Sequence, residues 1–175
     1  MSSVIISGDT SGAITLSAPA VAGTNTATLP AATGTVMVSG NMPAFSAYPS
    51  TGQSFSNAVW TKVTLDSEEF DTNSNFSSSR FTPTVAGYYQ VNGQVSFSFT
   101  SSFATCSIYK NGAAVRYGLT PTANANGVTT STNAIIYLNG TTDYIEFYVY
   151  QAAGTQSLSA GSQNTYFQAG MIRTA

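Results

Sequence analysis

Between Tyr89 and Phe99 the sequence alternates without a break. Tyr89, Val91, Gly93, Val95, Phe97 and Phe99 take one side, and Gln90, Asn92, Gln94, Ser96 and Ser98 take the other. A period of two puts successive side chains on opposite faces of a strand, so one face is apolar and the other polar. Such a strand requires neighbours to satisfy its backbone and a second layer to cover its apolar face. The flanking sequence supplies them. Ser107 to Lys110 runs into Asn111-Gly112, a pair that readily takes the positive φ angles of a type I′ hairpin turn. Ala134-Ile135-Ile136-Tyr137-Leu138 runs into a second such pair, Asn139-Gly140. From Tyr144 to Tyr150, Ile145, Phe147 and Val149 share one face, and Tyr144, Glu146, Tyr148 and Tyr150 share the other. Further strands are expected over Ala58 to Leu65 and over Thr165 to Ile172, with Trp60 anchoring the core or, as the alternative, offering an exposed ring to a sugar face. No helical period survives. The expectation is an all-β fold, an antiparallel sandwich or jelly roll.

Charge is scarce enough to exclude whole classes of function. The 175 residues hold five Lys and Arg, seven Asp and Glu, and no His, for a net charge of −2. Without His there is no imidazole base, no Ser-His-Asp or Cys-His machinery and no imidazole metal ligand. Five scattered cations cannot neutralise a phosphate backbone, so nucleic acid is excluded as a partner. Cys106 has no second cysteine to pair with and reads as a small buried apolar residue. Met1 to Asp9 lacks the basic and apolar regions of a secretory signal, and no stretch approaches the roughly 18 apolar residues of a membrane span. Action outside a cell would need another route, such as release of a virus particle by lysis.

The chain is expected to divide near residue 43. Residues 1–43 carry one charge, Asp9, among small apolar and hydroxyl residues broken by Gly and Pro. Short extended runs, Ala13-Ile14-Thr15-Leu16-Ser17, Thr26-Ala27-Thr28-Leu29 and Thr35-Val36-Met37-Val38, alternate with turn-forming stretches. Too few large side chains are present for a core. A linker would not need Ile5, Ile14, Leu16, Leu29, Val36 and Val38, so the segment is expected to lie against copies of itself or a larger partner.

Residues 44–172, about three quarters of the chain, resemble the C1q-like domain, the jelly roll shared with the tumour-necrosis-factor superfamily. The resemblance lies in the opening Ala44-Phe45-Ser46-Ala47, then Asp71 and Phe76, and the tract Phe81-Thr82-Pro83-Thr84-Val85-Ala86-Gly87-Tyr88-Tyr89. Lys110-Asn111-Gly112 with Val115 is similar to the family's hairpin, as are Leu138, Gly140, Asp143, Ile145 and Phe147, and the close Tyr166-Phe167-Gln168-Ala169-Gly170-Met171-Ile172. Leu65, Val91 and Gly93 stand where the family usually has aromatics, and Thr141-Thr142 resembles an insertion. The resemblance implies a homotrimer packed around an axis, with aromatic and aliphatic residues of one sheet face in the centre. Tyr144, Tyr148 and Tyr150 are the candidate interface residues, because their stripe is larger than a monomer normally exposes. The alternative is that the monomer itself covers that face. The tract from Gly12 to Val36 resembles segments of tailed-bacteriophage structural proteins that precede a distal globular module on fibres and appendages.

Candidate sites are few. Asp66, Glu68, Glu69 and Asp71 form an acidic cluster. It reads as a solvated connection, as oxygen ligands for Ca²⁺, or as an acid/base pair for glycoside hydrolysis. The Ser/Thr/Asn-rich stretches 120–132 and 152–165 are candidate binding loops at the ends of the sandwich. Together these readings describe a non-enzymatic virion protein on the particle surface. Residues 1–43 would trimerise it and attach it to other virion proteins, with Ile5, Ile14, Leu16, Leu29 and Val36 as attachment residues. Residues 44–175 would form a trimeric head that adheres to a host-surface glycan or protein. Neither membrane insertion nor a cofactor is expected, with Ca²⁺ the one candidate ion. A decoration or connector protein that stabilises the particle is the second reading, and a depolymerase the third.

Overall fold

A computed structural model of the chain describes residues 3–28, 31–34, 36–99 and 102–175. It divides into two compact units, Met1–Gly34 and Thr35–Ala175. The division falls before residue 43, because Met37 packs on the core of the second unit.

The first unit is built on an antiparallel hairpin, β1 (Ser3–Ser7) with β2 (Ala13–Ser17). Register pairs Val4 with Leu16 and Ile6 with Ile14, so these four share one face. Ile5 pairs with Thr15 on the opposite face, apart from Ile14 and Leu16. The two faces are open throughout, as expected of strands with too few large residues to bury. The runs at 26–28 and 36–38 form no strand, and Leu29 lies outside the described residues.

The second unit contains β3 (Ala44–Tyr48), β4 (Ser54–Phe55), β5 (Thr61–Lys62), β6 (Ser67–Asp71), β7 (Phe76–Ser77), β8 (Arg80–Phe81) and β9 (Gly87–Phe97). It continues with β10 (Ala104–Lys110), β11 (Ala113–Tyr117), β12 (Val128–Leu138), β13 (Ile145–Gln151), β14 (Gln156–Ser157) and β15 (Tyr166–Thr174). A five-stranded sheet runs β12-β9-β15-β3-β6, and a six-stranded sheet runs β11-β10-β13-β8-β7 with β5 also against β13. All pairings are antiparallel. The two sheets face each other across one core, which gives the expected jelly roll.

The alternation in β9 is kept: its odd-numbered residues are buried and its even-numbered ones face outward. Asn111 and Gly112, at φ 52° and 82°, make the expected turn between β10 and β11. Gly93 makes room for an aromatic of the opposite sheet: a Cβ there would lie 2.5 Å from the ring of Phe147, which stacks 5.4 Å from Phe167. Cys106 is buried beside the Thr130 hydroxyl, and burial pushes its thiol up to about 11. Tyr89 donates to the Val85 carbonyl at 2.7 Å, and burial raises its phenol further still.

Two expectations of local structure need correction. Trp60 is not in the core: Ala58 takes φ 58°, the strand shortens to Thr61–Lys62, and the indole lies half-buried outside the six-stranded sheet. Residues 128–132 belong to β12 rather than to a loop, with Thr130 and Thr132 among its inward residues.

Candidate functional site

Glu68, Glu69 and Asp71 lie on β6 rather than in a loop, Asp66 comes just before it, and Asp66, Glu68 and Glu69 are open to solvent. Asp66 accepts from the Ser50 N–H at 2.6 Å and its hydroxyl at 2.7 Å, and those bonds hold its carboxyl below the usual range. Glu69 accepts from the Ser46 hydroxyl at 2.8 Å, and Asp71 accepts the backbone N–H of Phe76 at 2.7 Å. Glu68 is exposed. Among the described residues no group of three or more His, Cys, Asp or Glu is placed to hold a metal ion. The four residues are not brought together as a Ca²⁺ site, and three of them tie β6 to its surroundings.

Tyr144, Tyr148 and Tyr150 point away from the core as expected, but the chain half-covers them itself. The Arg80 guanidinium sits 3.8 Å over the Tyr144 ring. Tyr148 stacks on Tyr109 at 4.0 Å, and Tyr150 lies between Trp60 at 5.6 Å and Phe103 at 6.0 Å. Beneath this layer Glu146, 3% exposed, meets Lys62 at 3.1 Å and Arg80 at 2.9 Å. Cover from within the monomer accounts for part of that stripe and leaves the three tyrosines half-buried.

The other sheet also leaves apolar residues exposed on its outward face, among them Ile135 (58% exposed), Phe70 (49%), Ile172 (48%), Tyr137 (42%) and Tyr88 (39%). Beside them the register sets Asn133, Asn92 and Gln168 in one row across β12, β9 and β15, with Gln90 and Gln94 above and below on β9. A shallow hollow of about 400 Å³ opens over Gly170, between Phe70, Gln90, Gln168 and Ile172. The outward positions of β12, β9 and β15 carry no ionised side chain until Arg173, whose guanidinium lies 5.5 Å over Tyr88. Sequence reasoning offered none of these apolar residues as interface candidates. The signal was Ala134 to Leu138, an unbroken apolar run: in a strand, such a run makes both faces apolar, so both need cover.

The polar stretches are largely fastened down. The Gln151 amide, fully buried, donates to the carbonyls of Phe55, Ser56 and Gly154. Leu158 is buried against β9, and Thr165 donates to the Ser159 carbonyl at 2.8 Å. The stretch from Gly118 to Gly127 is the more open of the two, with Leu119 72% exposed. In the hairpin unit Ile5, Ile14 and Leu16 are exposed, as is Val36 in the second unit. Val4 and Ile6, which sequence reasoning did not name, complete the apolar face.

No protein-family model and no curated sequence matches the chain. The fold does match solved structures. Murine APRIL superposes with a TM-score of 0.60 at 12% identity, over 75% of this chain and 99% of that one. The globular domain of zebrafish complement 1qA protein gives 0.56 at 17%, over 76% and 99%. PRD1 vertex protein P5 gives 0.59 at 15%, over 75% and 97%. The second unit therefore has the jelly-roll fold of the C1q and tumour-necrosis-factor proteins. Among the described residues no helix is long and apolar enough to cross a membrane.

Proposed function

We propose that this chain is a non-enzymatic structural protein of a bacteriophage virion, a homotrimer whose jelly-roll heads adhere to the host surface. The observation that carries the reading is the amide-rich outward face of β12, β9 and β15, which carries no ionised side chain until Arg173 at its edge. At a rotation axis each side chain meets copies of itself. Like charges there would repel, whereas an amide both donates and accepts and so satisfies its own copy. Asn92, Asn133 and Gln168 suit such an axis, and Tyr88, Ile135 and Tyr137 supply apolar area beside them. The shared fold with a vertex protein supports a place on the particle surface. The open hairpin face of Val4, Ile6, Ile14 and Leu16 suits docking on other virion proteins, since an isolated two-stranded hairpin is marginal in water. Three identical weak sites on one trimer act through effective concentration.

The vertex-protein likeness also favours a second reading, a decoration protein that stabilises the particle without touching the host. Two measurements decide. Light-scattering mass of the full chain should be three times the chain mass, and residues 35–175 alone should keep that ratio. A monomeric full chain sinks the trimer. Fluorescently labelled protein should bind host cells. Binding to particles but not to cells replaces adhesion with decoration.

A further inference from the structure

Outside the six-stranded sheet, six rings form one continuous layer. Trp60 lies 5.6 Å from Tyr117, 5.6 Å from Tyr150 and 6.3 Å from Tyr109. Tyr109 stacks on Tyr148, and Phe103 on Tyr150. None of these rings belongs to the buried core, and Tyr117 is 64% exposed. We propose that this layer is a saccharide-binding platform that takes neutral pyranose units. The inference rests on the adhesion reading and names the ligand class for it.

The chemistry selects the occupant. One face of a pyranose presents a patch of C–H bonds and its rim presents hydroxyls. Aromatic faces accept the first by contact, and phenol hydroxyls at the ring edges exchange hydrogen bonds with the second. Four of the six rings are tyrosines, so the layer offers both. An aliphatic protein partner would use the ring faces but leave the phenol hydroxyls unmatched. Charge points the same way. Lys62 and Arg80 both engage Glu146, so the flank of the layer offers no free pair of cations to an acidic sugar or a phosphate. The rings brace one another, so binding immobilises little that is not already fixed. A trimer built on the five-stranded face leaves this layer outside the interface on every subunit, with Tyr117 its most exposed ring.

Trp60 is the sole tryptophan, so its emission reports on the platform alone. The full-length protein should be titrated with maltohexaose, cellohexaose, a mannan hexamer and a galactan hexamer. At least one should give a saturable change in emission. Tyr117→Ala should weaken that binding about tenfold while leaving mass and circular dichroism unchanged. Silence with every neutral oligosaccharide overturns the platform, and so does a Tyr117→Ala variant that binds as tightly as the parent. Host-cell binding separates this from the adhesion reading. If parent and Tyr117→Ala adhere to cells equally well, the platform falls and adhesion stands. If sugar is bound but cells are not, adhesion falls and the platform stands. If the variant loses cell binding but no sugar moves the emission, the partner is a protein and the saccharide assignment is wrong.

Discussion

The outward faces of the two sheets begin from the same kind of sequence and end differently. Both alternate, and both place tyrosines outside: Tyr109, Tyr148 and Tyr150 on the six-stranded sheet, Tyr88 and Tyr137 on the five-stranded one. On the first, Trp60, Phe103 and Arg80 fold over the tyrosines, and a buried carboxylate is neutralised beneath them. On the second, Ile135 and Tyr137 stay open beside a row of amides. Alternation decides which side chains leave the core. What then covers them depends on segments distant in sequence, and a face left open without charge suits copies of the chain itself.

The strongest way to break this contrast is to charge one face and then the other. Ile135→Arg sets three like charges against one another in the proposed trimer, with no contact to replace them. The expected outcome is a light-scattering mass reduced to that of one chain, with strand content unchanged. Tyr148→Ala, on the self-covered face, should leave the mass trimeric. The reverse pattern would move the interface to the tyrosine stripe that the sequence first suggested.

The next largest effect tests how the two faces are held apart. Gly93 belongs to the five-stranded sheet, and the ring that would collide with its Cβ, Phe147, belongs to the other. Both lie in a packed interior where Phe147 is fully buried, so the ring has nowhere to move. Gly93→Val should cost about 3 kcal/mol, read from urea unfolding at fixed protein concentration. A cost below about 1 kcal/mol would show that the sheets separate easily.

A smaller effect is expected from Glu146→Gln, which removes the charge that Lys62 and Arg80 share on the self-covered face. Both cations are partly exposed, at 34% and 43%, so water takes up some of the loss and the cost should be about 1–2 kcal/mol. No comparable loss should follow Gln168→Glu in an isolated chain, because among the described residues no ion pair involves β12, β9 or β15. In the trimer that same change should weaken assembly.

Much of this was legible in the sequence, and the failures have physical causes. β9 and the Asn111-Gly112 turn could be read because local rules, period two and positive φ, decide them. Trp60 was misplaced because core position was inferred from size, while the positive φ of Ala58 breaks the strand just before the indole. The start of β12 was hidden because its inward positions include Thr130 and Thr132, which carry no apolar signal. The apolar face of the five-stranded sheet was written in Ile135 and Tyr137, but only the pairing with β9 shows that they share a surface with Tyr88 and the amides. The hairpin's first strand, Ser3–Ser7, supplies Val4 and Ile6, and their partnership with Leu16 and Ile14 follows from register rather than from composition.

Those two inward threonines provide the finest test, since they differ in one respect. Thr130 donates to the Leu119 carbonyl at 2.6 Å, whereas the Thr132 hydroxyl is buried with no partner among the described residues. Both sit on the inner side of the five-stranded sheet, where β10 opposite offers Ala104, Cys106 and Ile108. Valine matches threonine in shape and removes the hydroxyl. Thr130→Val should therefore cost about 1 kcal/mol, by stranding a carbonyl. Thr132→Val should stabilise by up to about 1 kcal/mol, by removing a group that lost its water on folding and gained nothing in return. Opposite signs from one substitution, two residues apart, would show that the inner face tolerates hydroxyls only where a neighbouring segment reaches in to meet them. Equal costs would mean that Thr132 has a partner after all, and a buried water bonded to Oγ1 would be the first place to look.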